Sequence, residues 1–326
     1  MTKPFKIAIA GLGTVGCGVV NLLENQRELI SSRCDRTVEI VAVSARDRSR
    51  DRSADLNPYT WHDDATELAD RDDPDCILEL IGGEEGIART IVERGLKTGK
   101  HVVTANKALL AYHGGSLNRL AAHSGAELLY EAAIAGGVPV VKALKEGLAA
   151  NEITAVFGIL NGTCNYILSE MERTGAAFDD VLADAQAKGF AETPPDLDID
   201  GHDAAHKICL LSAIASGNDP DMAQVDIKGI RAISQAHIAE AQAKGEVIRL
   251  IAGTTLREDG SWAAQVVPQH LPFEHPLARI GGVQNAVLIE AQPVGQIMLT
   301  GLGAGAGPTA SAVVADVIDL AKRSNL

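Results

Sequence analysis

Phe5-Lys6-Ile7-Ala8-Ile9-Ala10-Gly11-Leu12-Gly13-Thr14-Val15-Gly16 is the stretch that decides the fold. Apolar, β-rich sequence runs into a glycine turn, and from Thr14 apolar residues recur at three- and four-residue spacing, so strand, turn and helix are predicted in that order. A helix start presents unpaired backbone N–H groups and the positive end of its dipole, and an anionic phosphate belongs there. In this pattern Gly11 permits the turn, Gly13 lets the backbone approach a pyrophosphate, and Gly16 lets the helix lie close to the strand. Gly11, Gly13, Thr14, Val15 and Gly16 are therefore a candidate dinucleotide cradle, and the flanking strand and helix make the signal stronger than the bare glycine pattern.

Outward from this turn, short β-rich runs at 5–10, 38–44, 76–80, 101–103 and 127–130 alternate with helical spacing at 14–30, 86–98 and 114–123. That alternation predicts an α/β, doubly wound, Rossmann-type sheet over residues 1–130. Beyond Gly136-Gly137-Val138-Pro139 the alternation is lost. Strands are predicted at 153–160, 247–256, 263–267 and 286–290, with helices at 165–173, 181–187, 203–215 and 234–243, so 131–300 reads as a second, α+β domain for substrate and dimerisation. The glycine-rich 301–308 precedes a helical pattern at 309–321, and 301–326 is expected to return to the dinucleotide-binding domain.

The chain has 326 residues, 46% of them hydrophobic, and a formal net charge of −14. That length accommodates two packed cores. The acidic balance, without a Lys/Arg stripe, argues against nucleic acid. No apolar run reads as a membrane span or signal segment, so a cytoplasmic location is expected. The five scattered cysteines read as reduced core thiols.

The second strand ends Ser44-Ala45-Arg46-Asp47-Arg48. NAD specificity usually relies on an acidic residue there for the ribose hydroxyls, whereas Arg46 is placed to meet a 2′-phosphate. NADP is favoured and NAD remains the alternative. The plain reading of the same segment is a solvated loop, since Arg48, Arg50 and Arg52 alternate with acids.

Several ordered motifs then carry a resemblance: Val103-Thr104-Ala105-Asn106-Lys107, Asn161-Gly162-Thr163-Cys164-Asn165-Tyr166-Ile167-Leu168, Gly189-Phe190-Ala191-Glu192, Asp198, Asp203-Ala204-Ala205-His206-Lys207, and Gly303-Ala304-Gly305-Ala306-Gly307-Pro308-Thr309-Ala310-Ser311-Ala312. Over essentially its full length the chain resembles homoserine dehydrogenases, in a short form without a C-terminal regulatory domain. The resemblance implies reversible, NAD(P)-dependent interconversion of L-homoserine and L-aspartate 4-semialdehyde in threonine, methionine and isoleucine biosynthesis. It implies Lys207 as the main proton donor and acceptor, Lys107 near the reacting oxygen and the nicotinamide, and Glu192, Asp198 and Asp203 as substrate ligands. Asn106, Lys107, Gly189 and Gly303 join the cofactor set. It further implies a monovalent cation such as Na+ on backbone carbonyls at Glu131, Ile134, Gly136 and Val138, and a homodimer built through second-domain strands; the apolar runs 287–290 and 297–300 suit that interface and suit a core equally well.

The residues themselves suit such a substrate. Gly162-Thr163, between a strand and a helix, offers N–H groups and a hydroxyl for a carboxylate. The acids Glu192, Asp196, Asp198, Asp200 and Asp203 face the demand of an ammonium, although the same cluster reads equally as a solvated loop capping the next helix. Asp203 and Lys207 are four apart on one helix face. A lysine removes a hydroxyl proton if desolvation or a neighbouring cation lowers its pKa, and the plain reading of Lys207 is an i,i+4 salt-bridge partner. Many relatives carry Tyr where Phe190 stands, so a hydroxyl contact to substrate is lost or supplied elsewhere. His202-Asp203-Ala204-Ala205-His206 has the histidine spacing of a zinc-protease helix but no companion ligand motif. The alternatives to this reading are another amino-acid-related NAD(P) dehydrogenase or a dinucleotide-binding sensor without catalysis.

Overall fold

The structure is a computed structural model and describes residues 3–323; Met1, Thr2 and residues 324–326, the outer ends of the first and last expected segments, lie outside the described residues. Two compact units share the chain, one comprising residues up to Gly137 together with those from Ala304, the other Val138–Gly303.

The first unit runs β1 (Phe5–Ala10), α1 (Thr14–Asn25), α2 (Arg27–Cys34), β2 (Val38–Ser44), β3 (Thr60–His62), α3 (Glu67–Asp70), β4 (Cys76–Glu79), α4 (Ile87–Lys97), β5 (His101–Thr104), α5 (Lys107–Ser124), β6 (Leu128–Leu129) and α6 (Ala132–Ala135). Its strands pair in parallel in the order β3-β2-β1-β4-β5-β6. This is the doubly wound, Rossmann-type sheet expected. A parallel sheet is covered on both faces, which is why its strands are almost wholly apolar: Phe5, Ile7, Ala8, Ile9 and Ala10 have no exposed surface. The C-terminal helix Ala306–Arg323 belongs to the same unit and buries Val313, Val317 and Leu320 completely. Each such side chain contributes about 1.5–3 kcal/mol of transfer free energy.

Strand order reverses between β1 and β4, and ligands of such sheets bind at the carboxyl ends of the strands flanking that switch. The glycine turn follows β1 directly.

Three local features depart from the sequence expectations. The single helix expected over 14–30 is broken at Gln26 (φ −115°, ψ 22°), inside the polar run Glu24-Asn25-Gln26-Arg27-Glu28, which has no core contact to hold it straight. The helix expected at 114–123 starts at Lys107, because the Asn106 side chain accepts from the Leu109 N–H and caps it there. β3, three residues at the sheet edge, is too short to produce a periodic signal.

The second unit runs α7 (Val140–Lys142) into a π-helical turn at Ala143–Gly147, then β7 (Glu152–Ile159), α8 (Gly162–Thr174), α9 (Phe178–Ala187), α10 (Asp196–Ile199), α11 (His202–Ser216), β8 (Val225–Ile227), α12 (Gln235–Ala243), β9 (Glu246–Leu256), β10 (Trp262–Pro272), β11 (Gln284–Gln292) and β12 (Gly295–Leu302). The sheet order is β12-β11-β7-β9-β10-β8, antiparallel throughout except at β10–β8. It is the mixed α+β architecture expected. β10 continues to Pro272, past the end expected at residue 267. β8 pairs with β10 only as far as Val266, so Pro268 lies where one edge of β10 is open, a position that tolerates a proline. All five cysteines are buried free thiols.

Candidate active site

In the first unit the glycine turn is arranged for an anion. The N-cap of α1 is Gly13, which supplies no side-chain hydrogen bond, so the first-turn N–H groups of the helix have no capping side chain. A Cβ on Gly16 would lie 2.0 Å from the Gly11 carbonyl oxygen, and one on Gly11, at φ +101°, would lie 2.5 Å from the Leu80 carbonyl oxygen. Both glycines are demanded by backbone packing. Gly13 is different, since a Cβ there meets nothing within 4 Å. The open space over Gly13 is what close approach of a ligand requires.

The Gly11 N–H donates to the Ser44 carbonyl at the end of β2, bringing that strand end beside the turn. Arg46 is exposed two residues further on. The following loop is organised rather than merely solvated. Arg52 donates from Nε to the Leu12 carbonyl of the glycine turn (3.2 Å) and from its terminal nitrogens to the carbonyls of Asp47 and Arg50, and the guanidinium groups of Arg48 and Arg52 lie 5.7 and 5.5 Å from the Trp61 ring centroid. Sequence reasoning missed these roles of Arg52 and Trp61; the Arg52 bond to Leu12 spans 40 residues. Asn106 caps α5, and Lys107 is its first residue.

In the second unit, the start of α8, α10 and α11 bring together Asn161, Asp198, Asp203 and Lys207. Lys207 Nζ, on a side chain only 10% exposed, donates to Asp203 Oδ2 (2.8 Å) and to the Leu160 carbonyl (2.7 Å). Asn161 Nδ2 donates to Asp198 Oδ1 and to Asp203 Oδ2, both at 2.8 Å, while its Oδ1 accepts from the Cys164 N–H and caps α8. Burial, with the negative charges of Asp203 and Glu192 adding to it, pushes the Asp198 carboxyl above its ordinary value, against the Asn161 hydrogen bond and the Lys207 charge. Buried Asn285 donates to the same Leu160 carbonyl (3.0 Å). Gly303 packs on Asn285 so tightly that a Cβ would lie 2.2 Å from its amide. Asn285 is a third residue that sequence reasoning missed.

The acidic cluster sorts into two groups. Asp196 and Asp200 are both bound by Arg231, whose guanidinium holds the Asp200 carboxyl below its ordinary value. Asp198 and Asp203 face Asn161, and Glu192 is exposed beside them in sequence.

Thr163 departs from its expected use. Its hydroxyl donates to the Phe190 carbonyl (2.5 Å), tying the Gly189–Glu192 loop to the start of α8. The Phe190 ring stands edge-on to Tyr166 (5.0 Å), whose hydroxyl donates to Asp184 and accepts from Lys188. Gly189 follows α9 at φ +73°. Of the residues expected to hold a cation, Glu131 receives its place from a hydrogen bond of its N–H to Asp316 (2.8 Å), Gly136 has φ +54° after α6, and the Val138 carbonyl accepts from the Val140 N–H. Ile134 is buried within α6.

A dinucleotide-binding Rossmann-type unit joined to a unit in which a buried lysine lies among carboxylates defines a nicotinamide-dependent oxidoreductase. Residues 11–131 match the family model for the homoserine dehydrogenase NAD-binding domain and residues 139–318 that for homoserine dehydrogenase. The chain is 44% identical over 321 residues to the homoserine dehydrogenase of Neisseria gonorrhoeae, covering 98% of this chain and 73% of that protein. It is 42% identical over 320 residues to that of Pseudomonas aeruginosa, with the same coverage. A crystal structure of a homoserine dehydrogenase from Thiobacillus denitrificans superposes with TM-score 0.94 at 39% identity, covering 99% of this chain and 74% of that one. A hyperthermophilic archaeal homoserine dehydrogenase, solved in complex with NADPH, superposes with TM-score 0.83 at 26% identity and 97% coverage of each chain. The chain belongs to the homoserine dehydrogenase family, and its reaction is the NAD(P)-dependent interconversion of L-homoserine and L-aspartate 4-semialdehyde.

Among the described residues no helix is long and apolar enough to cross a membrane.

Proposed function

We propose that Lys207 carries the substrate hydroxyl proton in this reaction. The observation behind the assignment is a nearly buried ammonium held at both Asp203 and the Leu160 carbonyl on a rigid helix. In the oxidation direction the alcohol O–H bond breaks and its proton passes to the neutral lysine amine, while hydride leaves the same carbon for the oxidised nicotinamide; reduction of the aldehyde reverses both transfers. Glu192, Asp198 and Asp203 receive the substrate ammonium. The first-turn N–H groups at Gly162 and Thr163 receive its carboxylate. Lys107 serves the reacting oxygen and the nicotinamide end of the cofactor, alongside Asn106, Gly189 and Gly303. The cradle of Gly11, Gly13, Thr14, Val15 and Gly16 takes the pyrophosphate.

Lys207→Ala is expected to lower kcat by about three orders of magnitude, within the range of general acid–base contributions. Its dissociation constant for the dinucleotide stays within about twofold, a shift too small for a lost contact. The checks are absorbance of the reduced nicotinamide during turnover of homoserine and fluorescence titration of the cofactor. Unchanged turnover in the variant removes Lys207 from the chemistry, and no turnover of homoserine by the wild type removes the whole reading.

NADP is the favoured cofactor, on the exposed arginine two residues past β2, whose acidic neighbour Asp47 is taken up by the Ser49 N–H and hydroxyl. Arg46→Ala is expected to weaken NADPH binding about tenfold, the scale of one charge-assisted contact, and to leave NADH nearly unchanged. Equal losses for both cofactors count against a 2′-phosphate contact.

The carbonyls of Glu131, Ile134, Gly136 and Val138 are assigned to a monovalent cation such as Na+. The enzyme is further assigned to the cytoplasm and to a homodimer using β12.

A further inference from the structure

We infer that Glu79 is a positioning residue for the dehydrogenase, locking the turn after β4 and, through Thr104 and Asn106, the helix start that carries Lys107. The inference rests on the assignment of Lys107 to the reacting end of the cofactor. Glu79 ends β4 and has no exposed surface. Its Oε1 accepts the N–H groups of Ile81 (2.9 Å) and Gly82 (3.1 Å), and its Oε2 accepts the Thr104 hydroxyl (2.6 Å). Thr104 in turn accepts the Asn106 N–H (2.9 Å), which commits the hydroxyl proton to Glu79. Asn106 caps α5 through Oδ1 and donates from Nδ2 to the Gly83 carbonyl (2.6 Å). The circuit therefore closes on itself: strand end, turn, helix start and turn again.

Packing alone does not account for a carboxylate in this position. Desolvating it is costly, and a residue of similar volume without charge fills the space at lower cost. What the carboxylate supplies is acceptance at both oxygens, for two turn N–H groups on one side and a hydroxyl on the other. A glutamine places an NH2 group at one of those ends. The turn it holds needs holding, because Gly82 and Gly83 are both left-handed (φ +87° and +89°) and a Cβ on either meets nothing within 4 Å. The same segment abuts the pyrophosphate cradle, since the Leu80 carbonyl closes over Gly11 and the Leu80 N–H donates to Ala10 (2.7 Å). Two parts of the proposed cofactor site are thus set by one buried side chain.

Thr104→Val removes the hydroxyl while keeping the volume and leaves the turn bonded to Glu79. It is expected to lower kcat about tenfold, the scale of one hydrogen bond to a charged group, with the NADPH dissociation constant unchanged within about twofold. Thr104→Ser restores kcat. Glu79→Gln lowers kcat at least as much, since it also touches the turn, and the double variant Glu79→Gln/Thr104→Val loses no more than Glu79→Gln alone, because the Thr104 hydroxyl acts through Glu79. Rates are taken per active site, titrated below the melting transition of each variant, so a merely structural defect lowers the folded fraction and leaves kcat, the dissociation constant and the rescue unmoved. Wild-type kcat in Thr104→Val, or losses that multiply in the double variant, overturns the inference. A wild-type protein that fails to bind NADPH or to turn over homoserine overturns instead the reading on which it rests.

Discussion

Asp198 shows how the proposed substrate site would set function against stability at a single residue. Its carboxyl is pushed above the ordinary value mainly by burial, and the nearby charges of Asp203 and Glu192 add to that push. A carboxyl whose folded-state pKa is raised contributes stability that is fully present below its unfolded pKa and lost as pH rises through the folded value. As pH rises through the folded value, the charge forming on Asp198 therefore opposes folding. Asp198→Asn removes the charge and keeps an oxygen to accept from Asn161 Nδ2, which donates to Asp198 at 2.8 Å. The variant is expected to melt roughly 1–3 °C higher at neutral pH, and the gain is expected to vanish in acid, where both side chains are neutral. Its KM for homoserine is expected to rise about tenfold, because a neutral amide is a poorer partner for an ammonium. Calorimetry at neutral and acidic pH checks the first part, and a stabilisation of equal size at both contradicts it. Asp196 and Asp200, held by the exposed Arg231, carry no such expectation, since exposed ion pairs contribute little.

At the scale of elements, legibility in the sequence followed the range of the interactions that make each element. The glycine turn was readable because strand, turn and helix are contiguous, and every reason for Gly11 and Gly16 lies within the first unit's backbone. The parallel strands were readable because burial on both faces turns them into apolar runs. The start of α5 was not, because its asparagine cap is one side-chain bond lying between the strand expected to end at 103 and the helical spacing expected from 114. β3 and β8, each of three residues, are ordered by neighbours in the sheet rather than by their own pattern. In the substrate site, Asp203 and Lys207 were legible through their four-residue spacing, a local signal. Asn285 was invisible, since its partner, the Leu160 carbonyl, lies 125 residues away. Five acids in twelve residues looked alike in sequence, and only Arg231, 31 residues beyond Asp200, separates Asp196 and Asp200 from the pair that faces Lys207. Glu79 was hidden for another reason: inside the strand expected at 76–80 it is one polar residue with no local signal of its own, and only the structure shows it buried and bonded at both oxygens.

For the molecule as a whole, the second unit's sheet raises the question of what covers its end. Val287, Leu288 and Ile289, expected to contribute to a dimer, are buried in the core of that unit and are occupied by the packing of one chain. β12 is different. It is eight residues long, pairs with β11 on one side, stands last in the strand order, and carries Leu302 at 50% exposure. A long edge of this kind is a template for pairing with another chain, and proteins that stay monomeric blunt such edges with lysine, proline or a bulge; Gly295–Leu302 contains neither lysine nor proline and pairs with β11 in unbroken register. The proposed homodimer would use the edge, joining two copies about a twofold axis. Sedimentation velocity of the wild type is then expected to show a particle of twice the chain mass. Thr300→Lys together with Leu302→Lys, both at exposed positions, places like charges on the two facing edges and is expected to shift the protein to monomer with little change in melting temperature, since neither side chain belongs to the core. A monomeric wild type rejects the dimer, and a dimer that survives both lysines assigns it to a surface other than β12.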